Sequence, residues 1–577
     1  MASSVIPRPA TGLSTATGTT SSCNPFLIKP TQYIHTIKKP IRSYKISCKS
    51  RDNNDQEPPS NGENKYDRRN VLIGLGGLYG ATTLSTSPFA FAAPVSAPDV
   101  TQCGPADLPQ GAASTNCCPP PSAKIVDFKF PPPPATARVR PAAHLAYEAY
   151  VAKFNRAVEL MRALPDDDPR SFKQQANVHC AYCDGAYDQA GFPNLELQVH
   201  NSWLFFPFHR YYLYFFERIL GKLIDDPTFT MPFWNWDSPG GMSMPSMYTN
   251  PNSALYDQLR DRLHQPPALV DLNFSGPDQV AASADQQASR NLTVMYRQMV
   301  SNSKTPRLFF GSPYRRGDDP NPGGGSMENI PHGPVHVWAG DSTQPNFEDM
   351  GNFYVWKTLG GRRQDITDPD YLDASFLFYD ENGQMVRVKV RDCLDHTKLG
   401  YVYQDVEIPW MNSKPKPRVS SALRKIKKLG KAKAAETVHH TTVKEALPAK
   451  LDNGVLKVMV KRPKKKRSRK EKDELEEILI IEGIELDRDV YAKFDVYIND
   501  EDDEISTADN TEFAGSFVNV PHKHKHGKKI KTQLRLSISD IMEELDAEDD
   551  DHVLVTLVPM NAGDAVTVHG IKIVLDD

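Results

Sequence analysis

No segment beyond the N-terminal region of the chain is long and apolar enough to cross a membrane. The apolar run at 71–80 is shorter than the roughly 20 residues that a membrane-spanning helix requires. Neither sign of charge dominates, because 68 Lys and Arg residues stand against 72 Asp and Glu residues, a net charge of −4. We therefore expect no membrane span, and the charge balance argues against nucleic acid as the main partner.

Two common catalytic motifs are also missing. The glycine run at 323–325 is not followed by Gly-Lys-Ser/Thr, which excludes a phosphate-binding loop. His332 is not followed by Glu, so the H-E-x-x-H pattern of zinc proteases is absent.

Acidic residues are absent from residues 1–50, which are rich in Ser, Thr and Lys. This composition is typical of a plastid transit peptide. Arg68 and Arg69 then precede the apolar run, and Ala90-Phe91-Ala92 provides a cleavage site, which together indicate a twin-arginine export signal. The alternative is an N-terminal membrane anchor. We predict that residues 1–92 direct the chain to the chloroplast and its thylakoid lumen, and that the mature chain begins near Ala93.

Cysteines are few. The chain has eight, of which Cys23 and Cys48 lie in the targeting region. An exported protein can keep disulfide bonds, but the sequence alone does not choose among the possible pairings. The remaining cysteines are Cys103, Cys117, Cys118, Cys180, Cys183 and Cys393.

Three histidines lie among aromatic residues between 177 and 218. Imidazoles in such surroundings suit copper, zinc or iron. Because proline is tolerated in the first turn of a helix, Pro207 predicts that His209 lies in the first turn of a helix continuing through Arg218. We expect His200 in a loop and His179 at the end of a helical stretch at 171–178. The alternative is three core or capping histidines that never meet.

A second pair, His332 and His336, is four residues apart, so on a helix both side chains share one face and can hold one metal ion. An isolated pair of this spacing is a weak signal. Beside the first three histidines, it predicts a metal centre.

Three motifs carry a resemblance to a known family: His179-Cys180-x-x-Cys183, His200-x8-His209 and His332-x3-His336. With further landmarks at 370–372, 401–403 and 493–497, the chain from about Cys103 onward resembles plant polyphenol oxidases, which are type-3 copper proteins of the tyrosinase and catechol oxidase family. The resemblance implies a mainly α-helical four-helix-bundle di-copper domain followed by a C-terminal all-β sandwich. It also implies two copper ions, each held by three histidines, and oxidation of small ortho-diphenols (catechols) to ortho-quinones with O2.

The resemblance also implies roles for individual residues. Glu328 would assist deprotonation of water or phenol, Gly333 would lie beside the second copper, and Phe353 would lie at the entrance. Because Gly333 offers no side-chain hydrogen bond, oxidation of diphenols is favoured over hydroxylation of monophenols. The implied cross-links are a Cys183–His200 thioether and the disulfide bonds Cys103–Cys118 and Cys117–Cys180. Cys393 would then be a free, buried thiol.

One part of the family pattern is absent. The third histidine of the second copper site comes from a helix that follows the residues matching 351–354, but here Tyr354 runs directly into residues 355–361. No histidine occurs between His336 and His396. We expect His396 to face the surface, together with the histidines of the basic runs, His439, His440, His522, His524 and His526. The chain therefore matches five of the six copper ligands.

The predicted domains are targeting residues 1–92, a copper domain at 93–412, a basic, protease-sensitive linker at 413–447 and a C-terminal β-sandwich at 448–577. Short strands are expected within 373–406 and at 478–481, 494–498, 513–520, 534–538 and 553–558. By resemblance, the C-terminal domain inhibits the enzyme until processing proteases remove it. The basic run at 461–472 is interpreted as a solvated loop, with an anionic partner as the alternative.

We therefore predict a copper oxidoreductase closest to catechol oxidase, with activity impaired by the incomplete second site. The alternatives are a catalytically inactive copper-binding homologue, a hydroxylase or oxidase of monophenols or chalcones in specialised metabolism, and a mis-spliced product.

Overall fold

The computed structural model describes most of the chain beyond the targeting region. The described residues are 93–106, 115–120, 122, 124–134, 136–276, 282–341, 365–419, 441–452, 454–500, 506–521 and 529–576. The predicted targeting signals, Phe353 and most of the predicted linker lie outside these ranges. Within them, no helix has the length and apolar character needed to span a bilayer.

Four long helices form the framework of the first half: α1 (Glu148–Arg162), α2 (Phe172–Cys183), α3 (Phe205–Leu223) and α4 (Ala284–Met299). A separate 3-10 turn at Ala143–Leu145 precedes α1. The Ser171 side chain caps α2 by accepting from the Gln174 amide at 3.1 Å.

Helices α2 and α3 differ from the predicted bounds in ways that move two histidines. Helix α2 continues past Val178 to Cys183, so His179 lies inside the helix rather than at its end. Helix α3 begins at Phe205, which places Pro207 in the first turn and His209 in the second. Proline is tolerated there because the first amides of a helix have no partner within it.

Shorter elements connect the helices to the C-terminal part: α5 (Pro306–Phe310), α6 (Gly333–Ala339) and α7 (Pro369–Asp373). Among the strands, β1 (Ile125–Asp127), β5 (Ser375–Tyr379) and β6 (Met385–Lys389) form a sheet of order β1-β6-β5. Two further pairs form small sheets, β2 (Arg138–Arg140) with β7 (Tyr401–Tyr403) and β3 (Asp188–Gln189) with β4 (Phe192–Glu196). The expected strands within 373–406 are therefore present.

The C-terminal part contains two mainly antiparallel sheets. One includes β8 (Ala449–Lys450), β10 (Glu476–Asp487), β13 (Lys529–Ser537), β15 (Thr567–Val568) and β16 (Gly570–Asp576). The other has the order β12-β11-β14-β9, with β9 (Leu456–Lys461), β11 (Ala492–Ile498), β12 (Phe513–Asn519) and β14 (His552–Asn561). Side chains of both sheets, such as Val458, Leu479, Phe494 and Leu534, share one buried apolar core.

Not all of this part is β-structure. Three short helices lie within it, α8 (Val443–Ala446), α9 (Arg469–Glu474) and α10 (Ser539–Glu544). Strands β9 and β16 were not predicted. Thr442 forms a bridge with Met459 of β9, so the ordered C-terminal structure begins before residue 448.

The basic run at 461–472 is neutralised by neighbouring acids. Arg462 forms a buried ion pair with Glu477, and Lys464 and Lys465 pair with Glu471 and Asp551. These ion pairs weaken the case for an anionic partner. The run is not a solvated loop throughout, because Arg462 is buried and the run ends in α9.

Polar contacts join the C-terminal sheets to the helical part. Arg488 Nη1 lies 3.0 Å from Glu196 Oε2, and both residues are buried. The Asn302 side chain donates to the Ala514 carbonyl at 2.8 Å and accepts from the Ser537 amide at 3.1 Å. These polar groups are largely removed from water. Separating the domains would therefore break their hydrogen bonds, and each group would need a new hydrogen-bond partner.

Glu217 of α3 joins separate parts of the copper domain. Its carboxylate accepts from Arg138 Nη1 at 2.9 Å, from Arg140 Nε at 2.7 Å and from the Met231 amide at 2.9 Å. The side chain is fully buried, so this group links α3 to β2 and to the segment after α3.

Removing this carboxylate is expected to destabilise the copper domain. Glu217→Gln should lower the free energy of unfolding by about 3–5 kcal/mol, because two buried guanidinium groups lose their counter-ion. Chemical denaturation followed by tryptophan fluorescence measures the change. Glu159→Gln is the control, because Glu159 pairs with Arg156 at the surface and exposed pairs contribute roughly 0–1 kcal/mol. Equal effects of the two substitutions would contradict this role of Glu217.

Candidate metal centre

His179, His200 and His209 meet in space although they come from three different elements. His179 lies in α2, His200 in the loop between β4 and α3, and His209 in α3. One ring nitrogen of each lies within 4.8 Å of the others, and the Nε2 atoms of His179 and His209 are 3.3 Å apart. The alternative in which these histidines never meet is therefore wrong.

The second pair adjoins the first three. His332 immediately precedes α6 and His336 lies within it, and their Nε2 atoms are 2.9 Å apart. The ring centroids of His200 and His332 are 5.8 Å apart. The structure thus brings five histidines into one cluster, which we call the histidine cluster.

Phe205 packs between the two parts of the histidine cluster. Its ring centroid lies 4.5 Å from that of His209 and 4.7 Å from that of His332. The ring centroid of Phe208, the residue before His209 in α3, lies 5.2 Å from that of His209. These rings give the imidazoles apolar neighbours and restrict their orientation.

Burial keeps imidazoles of the cluster neutral. It lowers the pKa of His209 to about 4, and it lowers the pKa of His332 well below its usual value, helped by repulsion from His336. His209 Nδ1 lies 2.7 Å from the Phe205 carbonyl, and His332 Nδ1 lies 3.3 Å from the Glu328 carbonyl. A proton on Nδ1 leaves the Nε2 lone pair directed into the cluster. Neutral imidazoles in this arrangement fit copper or zinc.

Glu328 is a buried carboxyl group one turn before His332. Burial raises its pKa to about 8, partly opposed by the Asn201 amide, which donates to Oε1 at 2.5 Å. A group with a pKa near neutrality can both accept and release a proton under physiological conditions.

Four cysteines form two disulfide bonds, Cys103–Cys118 and Cys117–Cys180. The second bond joins the N-terminal arm to α2 one residue after His179. Cys183 is a buried cysteine outside these two disulfide bonds, and its Sγ lies 3.4 Å from His179 Nε2. The thioether between Cys183 and His200 stays a prediction.

His396 is outside the histidine cluster. It was expected to face the surface, but it is half-buried, with its ring centroid 5.5 Å from Tyr401 and 5.8 Å from Tyr403. Aromatic packing accounts for this position, which the polar neighbours in the sequence did not reveal. His439, His440, His522, His524 and His526 lie outside the described residues.

Sequence reasoning did not single out His264, which supports α6. Its ring stacks on Trp338 with centroids 4.6 Å apart, and Nδ1 lies 2.5 Å from the Trp338 carbonyl. His264 lies in a loop and belongs to no recognisable motif. Its role becomes visible only in the structure, because its partner Trp338 is 74 residues away in the sequence.

The C-terminal domain contacts the chain beside the second histidine pair. A Cβ atom added at Gly333 would lie 2.6 Å from Val518 Cγ1 and 3.5 Å from Val520 Cγ2. Strand β12 therefore packs directly against the start of α6, and glycine permits this close approach.

Three family models match consecutive parts of the chain. They are described as the common central domain of tyrosinase (residues 169–356), the polyphenol oxidase middle domain (365–416) and the chloroplastic polyphenol oxidase C-terminal domain (447–575). Together with the histidine cluster, they define the class as tyrosinase-like, type-3 copper proteins.

Relatives match over nearly the whole length. A chloroplastic polyphenol oxidase of Malus domestica is 59% identical over 594 positions, covering 98% of this chain and 97% of the relative. Aureusidin synthase of Antirrhinum majus is 58% identical, covering 93% and 99%. The solved structure of latent apple tyrosinase matches with a TM-score of 0.72 and 58% identity, covering 79% of this chain and all of that one. The chain belongs to the plant polyphenol oxidase family.

The contact at Gly333 predicts a compensating pair of substitutions. Gly333→Ala should push β12 away from α6, because the new methyl group overlaps Val518; strain of this kind costs about 1–3 kcal/mol. Val518→Ala in the same chain should restore the contact by making room. Hydrogen exchange of the amides in β12 measures the change, with faster exchange expected in Gly333→Ala than in the double variant. The prediction fails if Val518→Ala does not reverse the effect of Gly333→Ala.

Proposed function

We propose that this chain oxidises ortho-diphenols to ortho-quinones with O2 at a copper centre built on the histidine cluster. The convergence of five imidazoles, three of them buried and two half-buried, carries the proposal. His179, His200 and His209 would hold the first copper, and His332 and His336 would supply part of the second. Bound copper would supply the redox chemistry, in which two diphenols lose two electrons and two protons each and one O2 becomes two waters.

The chain's own side chains would bind the diphenol and move its protons. Glu328, with its pKa near 8, would accept a proton from water or the phenol. Gly333 presents no side-chain hydrogen bond beside His332, which favours diphenols over monophenols. Phe353 would lie at the entrance, by resemblance to the family.

We further propose that the second copper is held weakly and that turnover is impaired. No histidine occurs between His336 and His396, and His396 packs on tyrosines instead. The alignment with the Malus domestica relative spans 594 positions, whereas this chain has 577 residues, so that relative has residues without a counterpart here. A metal pair with five imidazoles binds its second member less tightly than one with six.

Several finer features belong to the same proposal. The long helices would form the four-helix bundle of the copper domain, and the C-terminal sheets would form a sandwich that inhibits the enzyme until proteases remove it. A Cys183–His200 thioether would fix the His200 ring. The relatives named chloroplastic and the N-terminal signals support a chloroplast location, in the thylakoid lumen.

A second candidate is an oxidase or hydroxylase of specialised metabolism. Relatives named aureusidin synthase (58% identical) and (+)-larreatricin hydroxylase (48% identical) favour it. Turnover of monophenols or chalcones in preference to catechol would select this candidate. A well-folded chain without turnover of any of these phenols would select the inactive copper-binding homologue.

Copper analysis tests the proposal. The purified chain should retain about one tightly bound copper ion, because only the first site has three imidazoles. His209→Ala should lose most of that copper, whereas His336→Ala should keep it. His552→Ala, at an exposed position in β14, is the control and should bind copper as the unaltered chain does. Two tightly bound copper ions per chain, with rapid catechol turnover, would contradict the proposed impairment.

A further inference from the structure

A cavity of about 440 Å³ adjoins the histidine cluster. His179, His209, His332 and His336 line one part of it. Its walls are largely apolar and come from α1, α2, α3 and nearby loops. They include Phe154, Val158, Phe172, Leu213, Phe216 and Leu255. The volume and character suit a small aromatic ligand.

The C-terminal domain does not contribute to this cavity among the described residues. The described lining residues all lie between Thr115 and Ala339. Val518 and Val520 instead approach the chain at Gly333, which is not a lining residue. The contact beside the second histidine pair is therefore separate from the walls of the cavity.

Two arginines give the cavity a positive charge. Arg162, at the end of α1, is exposed and donates from Nε to the Ala254 carbonyl at 3.0 Å. Arg260 is half-buried and donates from Nη1 to the Leu255 carbonyl at 3.1 Å. Both side chains line the cavity. Their only described hydrogen-bond acceptors are backbone carbonyls.

Neither arginine has a carboxylate within ion-pairing distance among the described residues. Burial lowers the pKa of both guanidinium groups, and their mutual repulsion lowers that of Arg260 further. Asp257 also lines the cavity and partly offsets both charges from beyond ion-pairing distance. Two arginines and one aspartate leave a net positive charge, which matches a single carboxylate better than a more highly charged anion.

We propose that the cavity binds an aromatic carboxylate while the C-terminal domain remains in place. The ring would lie among the apolar walls on the side of the histidine cluster, and the carboxylate would pair with Arg162 and Arg260. Guanidinium groups bind carboxylates through paired, charge-assisted hydrogen bonds, which a neutral phenol cannot form. The use of this ligand as a substrate rests on the proposed oxidase function, whereas its binding requires no copper.

Calorimetry on the uncleaved, copper-free chain tests the proposal. The probes are 3-phenylpropanoate and its neutral counterpart 3-phenylpropanol, which share the ring and differ in the carboxylate. The carboxylate should bind about fivefold more tightly than the alcohol, as expected for a partly exposed ion pair. In Arg162→Gln/Arg260→Gln this preference should disappear while the alcohol binds as before.

Two further variants keep the test specific. Arg156→Gln removes an exposed arginine from the same helix α1, outside the cavity lining, and should preserve the preference. Ala176→Trp places a large ring at an exposed lining position and should weaken both probes without disturbing the core. A thermal unfolding scan of each variant verifies that it is folded.

Equal affinities of the two probes for the unaltered chain would overturn the proposal. It would also be overturned by a preference that survives in the double arginine variant, or by carboxylate binding that appears only after removal of the C-terminal domain. Because the titrations use copper-free protein, they are independent of copper content and turnover. A chain that binds the carboxylate but holds no copper would therefore contradict the proposed function and leave this inference standing.

Discussion

The close packing of five imidazoles, three of them buried and two half-buried, is the constraint on which the rest of the structure depends. Neutral rings can approach one another closely, whereas protonated rings would repel, and the lowered pKa values of His209 and His332 follow from their burial. The rings stay in place because each backbone segment that carries them is fixed elsewhere. The Cys117–Cys180 disulfide fixes α2, Glu217 fixes α3, and His264 supports α6.

The C-terminal domain contacts the copper domain beside this cluster. Its strand β12 approaches α6 where Gly333 has no side chain, and Arg488 and Glu196 form a buried ion pair between the two parts of the chain. An apolar contact supplies buried area, and a buried ion pair supplies a specific register. The domain therefore lies beside the histidine cluster without lending it a ligand among the described residues.

Sequence patterns predicted the five histidines and most C-terminal strands, because ligand spacing and alternating apolar residues are local signals. The predicted helical positions of His179 and His209 were wrong, since Val178 does not mark the end of α2 and Pro207 does not mark the start of α3. The contact between Gly333 and Val518 could not be predicted, because it depends on how two distant segments pack. The same holds for the cavity, which requires the relative positions of three helices.

The two described cysteines outside the disulfide bonds share an environment with a chemical consequence. Cys183 and Cys393 are both buried, and burial raises the pKa of Cys393 to about 12. Ortho-quinones alkylate thiolates readily, and the thiolate rather than the thiol is the attacking form. With the other four described cysteines held in disulfides, no described cysteine offers an exposed thiol. The ortho-quinones of the proposed reaction would therefore meet no accessible thiol on the described residues.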